Sequence, residues 1–293
     1  MERSELFQKI RHIEIVAKQL VLDTFSGMYA SAFKGQGIEL ADIREFQTGD
    51  DYRSIDWAKT AQMGRPFVKN FREERDLLVM LMCDVSASLH FASHFECKKE
   101  RLAEIGALIA FSAIYNHDKV GLLLFSDKVE KMVLPKRGSK HGVRLIRELL
   151  AYEPSRKKTS IADALDHLNI AMKKRCICFL LSDFMAENYE RQLGLTAKKN
   201  DLIAIRVYDP FEEKWPTVGL STVQDLETGR QFIVDMNEKT SNIYQALWKK
   251  KDEEFHSIIS KTGSGAIEID TKGSFVQHLI AYFNKRKKTV SHK

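Results

Sequence analysis

No apolar run in this sequence approaches the roughly 18 residues that a membrane-crossing helix needs. The opening MERSELFQKI has no apolar core of the secretory-signal type. Proline and glycine are sparse, at 5 and 15 residues, which excludes collagen-like and linker-rich chains. The four cysteines, Cys83, Cys97, Cys176 and Cys178, include no C-x-x-C pair, and no histidine cluster accompanies them, so the pattern is not that of a zinc site. There is no G-x-x-x-x-G-K-[ST] phosphate loop, no internal repeat and no low-complexity tract. Charge of one sign is also scarce. Lys and Arg exceed Asp and Glu by only 6, and much of that excess lies in the C-terminal Asn284-Lys285-Arg286-Lys287-Lys288. A short basic tail with only Tyr282 and Phe283 as neighbouring aromatics reads as a solvated helix end, so no nucleic-acid partner is expected. The absences together predict a soluble, cytoplasmic chain whose cysteines are small core residues in a reducing compartment.

What is present is a regular alternation. Residues 1–75 start with an amphipathic helix in which Leu6, Ile10, Ile13, Ala17 and Leu20 form one apolar stripe. A charged, glycine-containing stretch follows. From residue 76 onward apolar runs alternate with helical patterns. Strands are predicted at 77–83, 120–125, 129–134, 176–181, 202–207 and 267–269, and helices at 96–116, 141–152, 160–174, 189–199 and 274–285. Strands apolar on both faces and separated by helices imply a mostly parallel sheet of about six strands, covered on both sides: an α/β, Rossmann-like, doubly wound domain over 76–293. The helix and charged segment of 1–75 are expected to pack on it. At 218–234, Glu227-Thr228-Gly229-Arg230 separates two alternating segments, which predicts an inserted β-hairpin with an exposed tip. Alternation places Cys176 and Cys178 on one face of their strand.

Ligands of such sheets gather beyond the carboxyl ends of the strands, so the strand-end residues carry the functional question. The first strand of this domain, LVMLMC, ends in Asp84-Val85-Ser86-Ala87-Ser88, with oxygen-bearing side chains at alternate positions. The strand CICFLL ends in Ser182-Asp183, and Lys157-Lys158-Thr159-Ser160 opens a helix between them. Carboxylates and hydroxyls on one sheet edge make a hard-oxygen site suited to Mg²⁺ or Mn²⁺. The bland alternative is that these residues only cap helices: Asp and Ser after a strand are ordinary N-caps, and Thr159 or Ser160 caps the next helix. Asp163 is read as a first-turn acid that complements the helix dipole.

At these residues the sequence resembles a von Willebrand factor A (VWA) domain. That family's metal-ion-dependent adhesion site (MIDAS) is Asp-x-Ser-x-Ser, then a Thr on a later loop, then a strand-end Asp. The resemblance implies metal ligation by Asp84, Ser86, Ser88, Thr159 and Asp183, with the last acting through water. Upstream, GQGIELADIREFQTGDDYRSIDWAKTA over 35–61 resembles the bacterial family DUF58, through Gly35, Gly37, Glu39, Asp42, Arg44, Glu45, Phe46, Gly49, Asp50, Asp51, Arg53, Ile55, Asp56, Trp57 and Ala61, continued by Phe71 and Glu73. Thr60 and Gln62 depart from the expected Ser and Arg. The resemblance spans about residues 30–190. It implies a short soluble type associated with a MoxR-type AAA+ ATPase, in an adaptor or chaperone-like role. From the residues alone, Arg44 and Arg53 among Asp42, Asp50, Asp51 and Asp56 predict a bracing charge network, and Trp57 is expected to fill a pocket. A partner-binding face is the alternative for this segment.

Two functions remain in competition. One is a non-enzymatic protein-binding module in which the ion takes a partner's carboxylate. The other is a Mg²⁺-dependent phosphohydrolase or nuclease built on Asp84 and Asp183. The second lacks a proton-transfer group: phosphatases of the Asp-x-Asp type need a carboxylate where Ser86 stands. His90 and His94 follow Ser88 and are read as solvated.

Overall fold

The computed structural model describes residues 3–33, 38–73, 77–93, 97–154 and 158–290. Gly35, Gly37, His94 and Lys157 lie outside the described residues. Two compact units divide the chain: residues 1–32 with 78–293, and residues 33–77. In chain order the elements are α1 (Arg3–Leu20) and α2 (Ser26–Phe33), joined by a π-helical turn over Val21–Phe25; then β1 (Ile38–Glu45), α3 (Trp57–Met63), β2 (Phe67–Glu73), β3 (Leu78–Asp84), α4 (Lys98–Tyr115), β4 (Lys119–Phe125), β5 (Val129–Lys136), α5 (Ser139–Ala151) and α6 (Ile161–Ala171). They continue with β6 (Ile177–Ser182), α7 (Glu190–Lys199), β7 (Asp201–Tyr208), β8 (Gly219–Gln224), β9 (Gln231–Met236), α8 (Glu238–Thr262), β10 (Gly265–Asp270) and α9 (Phe275–Val290).

The larger unit is built on a six-stranded sheet of order β10-β7-β6-β3-β4-β5, parallel except for the antiparallel edge strand β5. The expected mostly parallel α/β sheet is therefore present. Its interior strands read as continuous apolar runs because both faces are covered. Met80 and Met82 of β3 face a core with Cys178 and Leu180 of β6, Ile161 and Leu165 of α6, Leu193 of α7 and Phe255 of α8. Cys176 and Cys178 share that core, as the alternation predicts. On the other face α4 packs against β3 and β4, with α1 and α5 laid over it. Each fully buried Leu or Met in these layers contributes about 1.5–3 kcal/mol relative to exposure. α4 approaches closely at Gly106, where an added Cβ would meet Leu149 at 3.3 Å.

β8 and β9 form the expected hairpin, a separate two-stranded sheet. The 25-residue α8 behind it escaped the periodicity reading. Its stretch KKKDEE hides the pattern, and of its residues only Ser241, Phe255 and Ile259 are buried.

In the smaller unit, β1 and β2 pair antiparallel with a bulge between Leu40 and Asp42. Charges and the bulge conceal this pair from a reading by alternation. Arg44 forks onto Asp50 through two bonds of 2.8 and 2.7 Å, which is the Arg44 part of the predicted bracing, whereas Arg53 contributes, among the described residues, only its backbone N–H, to Asp51. Asp56 caps α3 by accepting the N–H groups of Ala58 and Lys59. The Thr60 hydroxyl accepts the Phe67 N–H, a role that a Ser hydroxyl fills equally well. The expectation for Trp57 is corrected: it starts α3 and is 71% exposed, so it fills no pocket.

Candidate oxygen-ligand site

The direction of strand addition reverses at β3, which has β4 on one side and β6 on the other. Crevices at such reversals are where open α/β sheets present their ligands. Asp84 and Ser182 end these neighbouring strands, with Cys83 registered against Leu181. The Ser182 hydroxyl donates to Asp84 Oδ2 at 2.6 Å. Asp84 Oδ1 accepts the Ser86 N–H at 2.8 Å, closing the turn that ends the strand. The Ser86 and Ser88 hydroxyls lie 3.0 Å apart. Ser88 donates to Asp183, whose Oδ1 also takes the Met185 N–H at 3.3 Å. Four predicted residues, Asp84, Ser86, Ser88 and Asp183, thus form one hydrogen-bonded cluster.

Thr159 lies at the same edge. The carbonyl of Phe125, the last residue of β4, accepts the Val85 N–H at 2.9 Å, and the next carbonyl, of Ser126, accepts the Ser160 N–H at 2.7 Å. The end of β4 therefore staples both the 84–88 turn and the 159–160 loop. Capping is divided among these residues. Ser160 caps α6 through the Asp163 N–H at 3.3 Å. The Thr159 hydroxyl instead donates to Glu227 Oε1 at 3.3 Å, and Ser86, which precedes a short 3₁₀ turn, makes no side-chain cap bond. Capping alone does not account for these hydroxyls.

The sequence reading missed three participants. Lys98, the first residue of α4, is fully buried and donates to Asp183 Oδ2 at 2.9 Å and to Glu212 Oε1 at 2.6 Å. It looks like surface charge in Cys97-Lys98-Lys99-Glu100, and only the fold aims it inward. Glu212 sits in a capping box with Asp209. Asp209 in turn takes the Ser93 N–H and hydroxyl and the Thr271 hydroxyl, tying β7 and β10 into the network. Glu227 comes from the β8–β9 turn, so the tip of that hairpin is less exposed than expected.

Burial sets the electrostatics. It pushes the Asp84 carboxyl up to about 7, helped by the nearby Asp183 charge and opposed by the Ser182 and Ser86 hydrogen bonds. Burial also acts to raise Asp183, but Lys98 overrides it and holds that carboxyl below the usual range. Burial disfavours the charged ammonium of Lys98, and Asp183 and Glu212 outweigh it. Counted as ionised, Asp84, Asp183 and Glu212 leave two negative charges uncompensated by Lys98. Desolvated charge of this kind is costly unless a cation or proton answers it. The groups placed to hold a divalent cation are the Asp84 and Asp183 carboxylates with the Ser86 and Ser88 hydroxyls, and Thr159 beside them.

Among the described residues no helix is long and apolar enough to cross a membrane. Uncharacterized proteins of Mycobacterium bovis and Mycobacterium tuberculosis are each 29% identical to this chain over 236 residues, covering 79% of it and 74% of their own length. A crystal structure of the conserved hypothetical protein BatB from Bacteroides thetaiotaomicron aligns with 72% of this chain and 99% of its own, at a TM-score of 0.48 and 16% identity. The SpRpn10 VWA domain aligns with 70% of this chain and 93% of its own, at a TM-score of 0.37 and 11% identity. The family described as "Protein of unknown function DUF58" matches residues 42–254, more than half of the sequence, and the chain belongs to that family.

Proposed function

We propose that this chain is a protein-interaction module that docks a partner's carboxylate through a divalent ion held by Asp84, Ser86, Ser88, Thr159 and Asp183. The observation that carries the reading is the pair of buried carboxylates at adjacent strand ends, in excess of their one buried cation and lined by hydroxyls. Hard oxygen donors of this kind fit Mg²⁺, with Mn²⁺ as its substitute. The bound ion would supply a Lewis-acidic coordination position for an incoming carboxylate. Asp84 supplies the central charge, and the hydroxyls add neutral oxygens that leave the ion electrophilic. Lys98 fixes Asp183 in place without neutralising the whole site. The resemblance of the 35–61 segment to DUF58 supports a MoxR-type AAA+ ATPase, or its client, as the partner. Binding rather than catalysis fits Ser86, a residue that cannot relay protons as a carboxylate would.

The test is affinity capture from the native cell lysate, with Mg²⁺ or with EDTA, comparing wild type with Asp84→Ala. Retention of an AAA+ ATPase or another protein only by wild type with Mg²⁺ is the expected result. Equal retention in all four conditions moves docking to another face. Phosphatase or nuclease turnover that needs Mg²⁺ and is lost in Asp84→Ala would replace this reading with the hydrolase.

A further inference from the structure

The β8–β9 hairpin tip is shaped to present one side chain. Asp225 Oδ1 accepts the Glu227 N–H at 2.9 Å and the Thr228 N–H at 3.3 Å, and Asp225 Oδ2 accepts the Thr228 hydroxyl at 2.5 Å. The Asp225 N–H reaches the Arg230 carbonyl, the Gly229 N–H returns to the Asp225 carbonyl, and Gly229 takes the φ of +72° that closes the turn. Asp225, Thr228 and Arg230 of this turn face solvent, whereas Glu227 is half-buried against Thr159, 68 residues earlier in the chain. Its carboxylate also lies close enough to Asp183 to feel that charge, with Lys158 as the nearby positive group. Two neighbouring carboxylates are repulsive alone and attractive with a cation between them.

From this geometry we infer that Glu227 is the site's own carboxylate ligand, a residue of this chain that holds the coordination position a partner's carboxylate takes on docking. The inference rests on the divalent-ion reading above. Because β8 and β9, among the described residues, pair only with each other, the tip can leave Thr159 without breaking a ladder of the six-stranded sheet. A partner would then bind by displacing Glu227, and the resident carboxylate would set a threshold against weak or adventitious acidic groups.

The experiment uses the full chain with Mn²⁺ as the probe. Affinity is read by electron paramagnetic resonance, and the waters exchanging on the bound ion by water-proton relaxation, for wild type, Asp84→Ala and Glu227→Gln. In Glu227→Gln, Mn²⁺ affinity is expected to fall about tenfold. The bound ion should gain one exchanging water, and added acetate should remove that water from the variant at concentrations that leave wild type unchanged. Unaltered affinity and water count in Glu227→Gln, with binding lost in Asp84→Ala, overturns the inference and leaves the site standing. Weaker binding with no added water also overturns it, since Glu227 would then only position Thr159. Mn²⁺ binding that is absent from wild type, or that survives Asp84→Ala, overturns the site reading and this inference with it.

Discussion

Two clusters in the larger unit put a buried cation among carboxylates, and they differ in what surrounds the charge. At the carboxyl edge of the sheet, Lys98 meets Asp183 and Glu212, with Asp84 close by. On the α8 side, Arg206 of β7 meets Asp252 at 2.5 Å and Glu268 at 3.4 Å, while His256 comes within 3.2 Å of Glu268. Asp252, His256 and Glu268 bring their ligand atoms within 4.8 Å of one another, so by ligand type alone this second cluster is the more obvious metal trio. Yet its carboxylate side chains keep 25% and 32% of their exposure to water, and Arg206, stacked near Trp248 and Phe255, supplies an internal counter-charge. The first cluster buries its charge, lines it with hydroxyls and leaves it under-compensated. Charge balance and hydration, more than the number of acidic groups, separate the two clusters.

The sharpest way to break this comparison is to remove each cation in turn. Lys98→Met leaves Asp183 and Glu212 buried without their partner and is expected to cost about 3–5 kcal/mol in urea unfolding. Mg²⁺ should restore part of that loss. Arg206→Met leaves carboxylates that water reaches, so about 2 kcal/mol is expected, with no recovery on adding Mg²⁺. Equal losses, or equal rescue, would erase the distinction.

Metal addition sharpens the contrast at the next level. Saturating Mg²⁺ is expected to stabilise wild type by about 2.7 kcal/mol at a hundredfold excess over Kd. The gain should disappear in Asp84→Asn and persist in His256→Ala, as read by thermal unfolding with and without EDTA. A third contrast follows from pH. The folded Asp84 carboxyl, pushed up to about 7, stays protonated where the unfolded chain has already lost its proton. The folded state therefore binds more protons between about pH 4 and 7, and metal-free stability falls as pH rises through that window. Asp84→Asn should flatten this slope, as read by urea unfolding across that window.

The sequence made half of this legible, and for a physical reason. Asp84, Ser86 and Ser88 are local: their spacing, and the strand they end, lie within a few residues, so pattern alone exposes them. Asp183 announces itself in the same way, as polar residues at the end of ICFLL. Lys98, Glu212 and Glu227 are distant in sequence and stand in ordinary charged surroundings. Their roles exist only once β3, β6, β7 and the hairpin are assembled. Trp57 fails for the opposite reason. A large aromatic suggests burial on average, but the position at the first turn of α3 leaves it in water. The helix α8 was missed because the residues it buries are too few to impose a period on a lysine- and glutamate-rich run.

The staple at the end of β4 has a consequence for timing. Its two carbonyls join a turn near residue 85 to a loop near residue 160, and the Asp84–Ser182 bond spans 98 residues of chain. Contacts of such separation carry a larger loop-closure entropy cost than a local turn. A chain still on the ribosome with only β3 and β4 made has the Asp84 turn and no site. A cation held there as proposed would mark a chain in which β3, β4 and β6 have already assembled, and a partner engaging it would be selecting such chains over less complete ones.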